Sequence, residues 1–182
     1  MPKRPIVREP DPVLHKSATP IPVEDIGAPD IQALIADMKA TLAAAEDGVG
    51  LAAPQVGQSV RLFLVSAEAE AIDRRGAESS DERDAKRDWH HYVFINPRFT
   101  KRSRQKRELA EGCLSVPGMV GVVPRSEKVF IEWWDEYGQR HARGYSKFFA
   151  RVLQHEMDHL DGMLILDRAR DLVRPSAHDA HG

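Results

Sequence analysis

The sequence predicts an α+β fold, with mixed, mainly antiparallel sheets packed around a C-terminal helix and one further helix near the N-terminus. Helical periodicity stands out in only two stretches, from Pro29 to about Glu46 and from about Ser146 to Leu160. Between them lie several short runs of β-branched and aromatic residues separated by turn signals. These runs do not alternate with helical patterns, which argues against βαβ units and a doubly wound sheet. At 182 residues the chain reads as a single domain, 1–182.

Residues 1–25 hold six of the twelve prolines and read as an extended arm on that domain. Ile31, Leu34, Ile35, Met38 and Leu42 recur at helical spacing, with Pro29 where a first turn tolerates proline. The helix yields to Asp47-Gly48-Val49-Gly50, a loop whose glycines read first as a helix cap. Val60 to Val65 is a short, β-forming apolar run and predicts a buried strand. Residues 67–91 mix both charges densely and read as a solvated surface loop. Tyr92 to Asn96 predicts a strand stopped by Pro97, and Arg98 to Arg107 reads as an alternating solvated strand face in preference to an RNA contact. Further strands are expected at 119–123, 127–134 and, after the turn signal Asp135-Glu136-Tyr137-Gly138, at 139–144. The helix of 146–160 is closed by Gly162, and 173–182 form a short tail containing Pro175.

Composition narrows the function. Apolar residues make up 42% and charged residues 30%, ordinary for a soluble globular protein. A net charge of −2 offers no global field for DNA or an anionic membrane. No apolar stretch approaches the ~18 residues of a membrane span. The N-terminus has no apolar core of a secretory signal and no Arg- and Ser-rich presequence, which points to a bacterial cytoplasm. Cys113, the one cysteine, excludes an intrachain disulfide and fits a reducing compartment.

The chemistry concentrates in His155-Glu156-Met157-Asp158-His159. Histidines four apart lie one turn above each other on one helical face, so both imidazoles reach one metal ion. Glu156, beside the first of them, is placed to take a proton from a water at that metal. A third ligand is needed. The extended protease pattern fails at Ile165, and no glutamate follows Glu156. Asp167 and Asp171 lie among arginines and read as surface salt-bridge partners. The third ligand is therefore expected upstream, where Cys113 stands in Glu111-Gly112-Cys113-Leu114-Ser115. Two imidazoles and a thiolate leave a fourth position open, as a catalytic metal requires, and suit zinc, ferrous iron, cobalt or nickel alike. In Gly48-Val49-Gly50-Leu51-Ala52-Ala53-Pro54-Gln55, no Lys-Ser/Thr follows the glycines, so a phosphate cradle is not supported. Gln55, behind a proline, is instead a side-chain amide able to hold an oxyanion.

These three segments, in this order, resemble the motifs of the peptide deformylase family, usually written G-φ-G-L-A-A-x-Q, E-G-C-L-S and Q-H-E-x-D-H-L-x-G. They stand here as Gly48 to Gln55, Glu111 to Ser115 and Gln154 to Gly162. Pro10 to Leu14 and Val123-Pro124-Arg125 also resemble family positions. The resemblance implies a hydrolase that removes the formyl group from the N-terminal formyl-methionine of nascent polypeptides. It implies one divalent ion, typically Fe2+, held by Cys113, His155 and His159, with Glu156 as general base. It also implies an oxyanion met by the Gln55 side chain and the Leu114 backbone N–H. Val49 and Val152 are candidate walls of a methionine pocket, or core residues. The tail lacks the long basic C-terminal helix that some relatives dock on the ribosome, leaving a transient ribosome contact as the expected partner besides the substrate. The competing readings are a zinc endopeptidase, which the failure at Ile165 opposes, and a metal-stabilised binding module, which has no use for Glu156 or Gln55.

Overall fold

The most apolar stretch of the chain ends up sandwiched between two helices, and the rest of the architecture is arranged around it. The computed structural model describes residues 2–45, 48–75 and 90–174. In chain order its helices are α1 (Pro29–Ala44), α2 (Glu68–Arg75), α3 (Lys147–Leu160) and α4 (Ile165–Arg168). Its strands are β1 (Gly50–Ala52), β2 (Leu62–Ser66), β3 (His91–Arg102), β4 (Lys106–Cys113), β5 (Val116–Ser126), β6 (Lys128–Trp134), β7 (Arg140–Ser146) and β8 (Arg170–Val173). One sheet has the order β1-β2-β3-β6-β7 and the other β4-β5-β8. Every pairing between named strands is antiparallel; the one parallel contact among the described residues is a bridge from Thr19 to Val60.

β2 is buried at all five positions, so both its faces need a partner layer. Leu62 and Leu64 pack with Leu34, Ile35, Met38 and Leu42 of α1. Phe63 and Val65 pack with Phe149, Val152, Leu153 and Met157 of α3. The helix carrying the two histidines is thereby held rigidly at the centre of the molecule.

Three expectations are corrected. Residues 68–75 form α2 rather than loop, while 76–89 lie outside the described residues. β3 does not stop at Pro97 but runs to Arg102. Its register against β6 shifts between Ile95 and Arg98, and Asn96 takes a positive φ of 48°, so a bulge carries the proline out of the regular ladder. Asn96 in turn clips the arm by accepting from Ile21 N at 2.9 Å and donating to Ile21 O at 2.6 Å. Third, α1 is closed by Ala45, and Gly50 begins β1 instead of capping a helix. Of the tail, 175–182 lie outside the described residues, and Leu172 and Val173 belong to β8.

α2 also explains how α3 begins. Ser146 makes no side-chain cap; instead the Asp73 carboxylate accepts from Phe148 N at 2.9 Å and Phe149 N at 3.0 Å, satisfying two amides that the helix cannot. Asp73→Ala is expected to lower stability by about 1 kcal/mol, the usual cost of a lost cap. Urea denaturation measures this, and an unchanged midpoint refutes it.

The arm is broken by two single-turn helices, Pro12–His15 and Val23–Asp25. Val7 N donates to Gln55 O at 2.8 Å, Glu9 N to Ser115 O at 3.0 Å and Ala18 N to Leu160 O at 2.8 Å. Leu14, fully buried, packs against Val116, Leu164 and Ile165.

Candidate active site

α3 buries charged and polar side chains that a central helix ordinarily avoids, among them Arg151, Gln154, Glu156, Asp158 and His159. His155 and His159 stand one turn apart with ring centroids separated by 5.0 Å. They face the end of β4, where the β4–β5 register shifts between Gly112 and Cys113; such an irregularity re-aims a side chain. The ligand atoms of Cys113, His155 and His159 all lie within 4.8 Å of one another, with Cys113 Sγ 3.3 Å from His159 Nε2. A soft thiol and two imidazoles are a donor set for a borderline transition-metal cation.

Around the three donors runs a buried lattice of charge. His155 Nδ1 donates to Glu111 Oε2 at 3.1 Å, which leaves Nε2 as the ligand atom and sets the ring orientation. Glu111 also accepts from Arg125 Nε at 3.0 Å, Arg125 Nη2 at 2.9 Å and Arg151 Nη1 at 2.5 Å. Arg125 reaches on to Asp158 Oδ2, and Asp158 Oδ1 accepts from Arg168 at 3.0 Å. Burial alone raises the Glu111 pKa, but hydrogen bonds from His155 and Arg125 outweigh it and hold it at about 2. Burial likewise opposes charge on His155, yet Cys113 and Glu111 lift its pKa to about 10. The same electron-rich neighbours favour a metal cation in the proton's place. His159 goes the other way: burial and the adjacent His155 keep it neutral, with its lone pair available.

Glu156 is 3% exposed, and its Oε2 is buried with no protein partner, as is His159 Nδ1. Burial pushes the Glu156 pKa up to about 7 against the opposing pull of His155. An unpartnered buried carboxylate oxygen is costly and is an open acceptor for a proton. Gly50 makes room for it: a Cβ there would lie 2.8 Å from Glu156 Cδ. Gly50→Ala is therefore expected to displace Glu156 and lower kcat/KM by about 100-fold with the fold retained, the scale of an ångström's misplacement. Steady-state kinetics beside circular dichroism test this, and wild-type kinetics would refute it.

Gln55, 2% exposed, sits in a single 3-10 turn, Ala53–Val56. Its Oε1 accepts from Ala52 N at 2.9 Å, while Nε2 donates to Ser115 Oγ at 3.2 Å and points at Cys113 Sγ, 3.8 Å away. The amide is thus fixed with its N–H groups toward the thiol. Leu114 follows Cys113 directly, in the turn between β4 and β5. Val49 and Val152 share one core cluster with Met157. Among the described residues Asp167 makes no ion pair with an arginine; it accepts from Leu164 N at 2.8 Å, reaching back to cap the short helix α4.

The sequence reading assigned no role to Gly50, Glu111, Ser115, Arg125 or Arg151. One signal was present for the last of these. Arg151 lies four residues before His155, on the face that carries the metal ligands, and a cation at a core position needs an anion.

The chain matches a family model described as polypeptide deformylase over residues 3–175. It is 40% identical over 164 residues to peptide deformylase 2 of a Nostoc species, covering 90% of this chain and 84% of that protein. A crystal structure of a peptide deformylase from Legionella pneumophila is similar with a TM-score of 0.74 and 34% identity, over 93% of this chain and 87% of that one. The Met-Ala-Ser-bound class I type b peptide deformylase from Acinetobacter baumannii is similar with a TM-score of 0.75 and 30% identity, over 91% and 98%. The chain belongs to the peptide deformylase family, hydrolases that remove the formyl group from the N-termini of nascent polypeptides.

Proposed function

We propose that Cys113, His155 and His159 hold one divalent metal ion, Fe2+ in preference to Zn2+, Ni2+ or Co2+. Beside it, this chain hydrolyses the formyl group of an N-terminal formyl-methionine and releases formate. The observation that carries the reading is the convergence of the three donor atoms within 4.8 Å, next to a buried carboxylate oxygen without a partner. The preference for iron rests on the family resemblance. When bound, such a cation supplies Lewis acidity toward a water and toward the formyl oxygen.

Glu156 accepts the proton of the attacking water at Oε2 and passes it to the departing amine. A carboxylate pushed up to about 7 suits both directions of that transfer near neutral pH. Gln55 Nε2 and the Leu114 N–H donate to the developing oxyanion. Gln55 keeps its amide plane fixed, because Ala52 N already holds its Oε1, and gives the oxyanion the N–H it otherwise aims at the Cys113 thiol. We place the reaction in the bacterial cytoplasm, where a lone thiol ligand stays reduced, with a transient ribosome contact delivering the substrate.

The test is formate release from a formyl-Met tripeptide by protein purified without oxygen and loaded with Fe2+, with N-acetyl and unblocked tripeptides as controls. Formate release with both controls intact is expected. A filled metal site without formate would refute the assignment, and cleavage of the unblocked peptide would favour the endopeptidase.

A further inference from the structure

Ser115 closes the second of the three motif segments, in the turn between β4 and β5, and is fully buried. A hydroxyl shut away from water must find its partners inside the protein. The partner here is not local: Ser115 Oγ accepts from Gln55 Nε2 at 3.2 Å, across 60 residues of sequence. The two backbones are tied as well. Glu9 N donates to Ser115 O at 3.0 Å, and two residues earlier on the arm Val7 N donates to Gln55 O at 2.8 Å. Among the described residues no histidine or carboxylate hydrogen-bonds the Ser115 hydroxyl, so it is not an activated nucleophile.

A carboxamide carries one acceptor oxygen and two N–H donors, and its use depends on which way round it sits. Ala52 N donates to Gln55 Oε1 at 2.9 Å, so the oxygen occupies that end and Nε2 faces Ser115 and Cys113. Nε2 then has two protons to place. One goes to Ser115 Oγ. The other is aimed at Cys113 Sγ from 3.8 Å, a long contact that leaves it oriented but weakly engaged. That is the state an oxyanion donor needs before charge develops. Without the Ser115 oxygen, one buried N–H loses its acceptor, and turning Nε2 onto the thiol relieves the cost. The last torsion of a glutamine side chain is broad, so little opposes that turn.

We propose that Ser115 is the positioning residue of the oxyanion donor. Its hydroxyl takes one N–H of the Gln55 carboxamide, so that the other stays directed at the oxygen of the reacting carbonyl. The arm completes the arrangement: Val7 and Glu9 hold the two backbones, so the Ser115 oxygen meets the amide at a set distance. Ser115 touches no substrate in this role and acts only through Gln55. The inference rests on the reading of Gln55 as an oxyanion donor and adds the residue that aims it.

The test is a double-mutant cycle in the full chain, purified without oxygen and loaded with Fe2+: parent, S115A, Q55A and S115A/Q55A. Turnover of a formyl-Met tripeptide, metal content and a thermal melt are measured for each. S115A is expected to lose at least about tenfold in kcat, short of the roughly 100- to 1,000-fold of a deleted oxyanion donor. KM and metal content are expected to stay at parental values, because the oxyanion exists only beyond the ground state. The melting midpoint is expected to fall by about 2–4 °C, the scale of one hydrogen bond in a chain of this size. In the Q55A background the same substitution is expected to cost less than about twofold, since nothing is left to aim. An equal loss in both backgrounds means that Ser115 merely supports the turn, and overturns the proposal. So does parental kcat in S115A beside a slow Q55A, which removes Ser115 alone. Parental kcat in Q55A removes Gln55 as the donor, and the proposal with it.

Discussion

Glu156→Gln is expected to keep its fold and its metal while losing about 100- to 10,000-fold in kcat/KM, the range that positioned proton transfer contributes. The substitution is nearly isosteric, which matters because Gly50 leaves no spare room: the Glu156 Cγ lies 3.0 Å from where a Gly50 Cβ would be. It also breaks no protein hydrogen bond at Oε2, which has none to lose. What disappears is the ability to accept a proton from water. Metal content, a thermal melt and formate release are the three measurements. Unchanged turnover would remove Glu156 as the base, and loss of metal alongside turnover would make it a structural support of the cluster instead.

Cys113→Ser is expected to weaken metal retention by more than about 100-fold, beyond what loss of an outer partner of a ligand typically costs. The thiolate is the one anionic donor of the three; a serine hydroxyl stays protonated, and the two imidazoles are left to hold a divalent cation alone. The fold should survive, because Cys113 packs only at the edge of the cluster of Leu14, Val116, Leu164 and Ile165, and serine is only slightly smaller than cysteine. Competition with a chromophoric chelator measures the affinity. Full occupancy at the wild-type free-metal concentration would sink the ligand assignment.

How much of this was legible in the sequence depends on the reach of each interaction. His155, Glu156 and His159 are local: helical spacing alone puts both imidazoles on one face, and α3 has the bounds its periodicity predicts to within a residue. The strands of 62–66 and 128–134 were legible from composition for the same reason. α2 was obscured by the dense charge mix of 67–91, although its Glu, Ala and Arg residues favour helix, and the cap it gives α3 comes from across the fold. β3 beyond Pro97 was hidden by a bulge that only the pairing with β6 creates. The charge lattice joins Glu111 to Arg125 and Arg151, partners far apart in sequence that no local pattern unites. Gly50 looked like a cap because the carboxylate it accommodates comes from α3. The donor set itself does not discriminate among Fe2+, Zn2+, Ni2+ and Co2+, in the sequence or in three dimensions.

The N-terminal arm touches all three motif segments, through Gln55, Ser115 and Leu160. In terms of assembly order, the stretch synthesised first is therefore seated last. The last of its three acceptors, Leu160 O, exists only once α3 has left the ribosome, so the arm can be held earlier by α1 and Asn96 but completes its seating only at the end of synthesis. Closing it then staples together segments whose mutual distances define the reaction centre. Pulse-labelling hydrogen exchange during refolding should find the Val7, Glu9 and Ala18 amides protected no earlier than those of α3. Protection in the reverse order would show that the arm templates the site rather than sealing it.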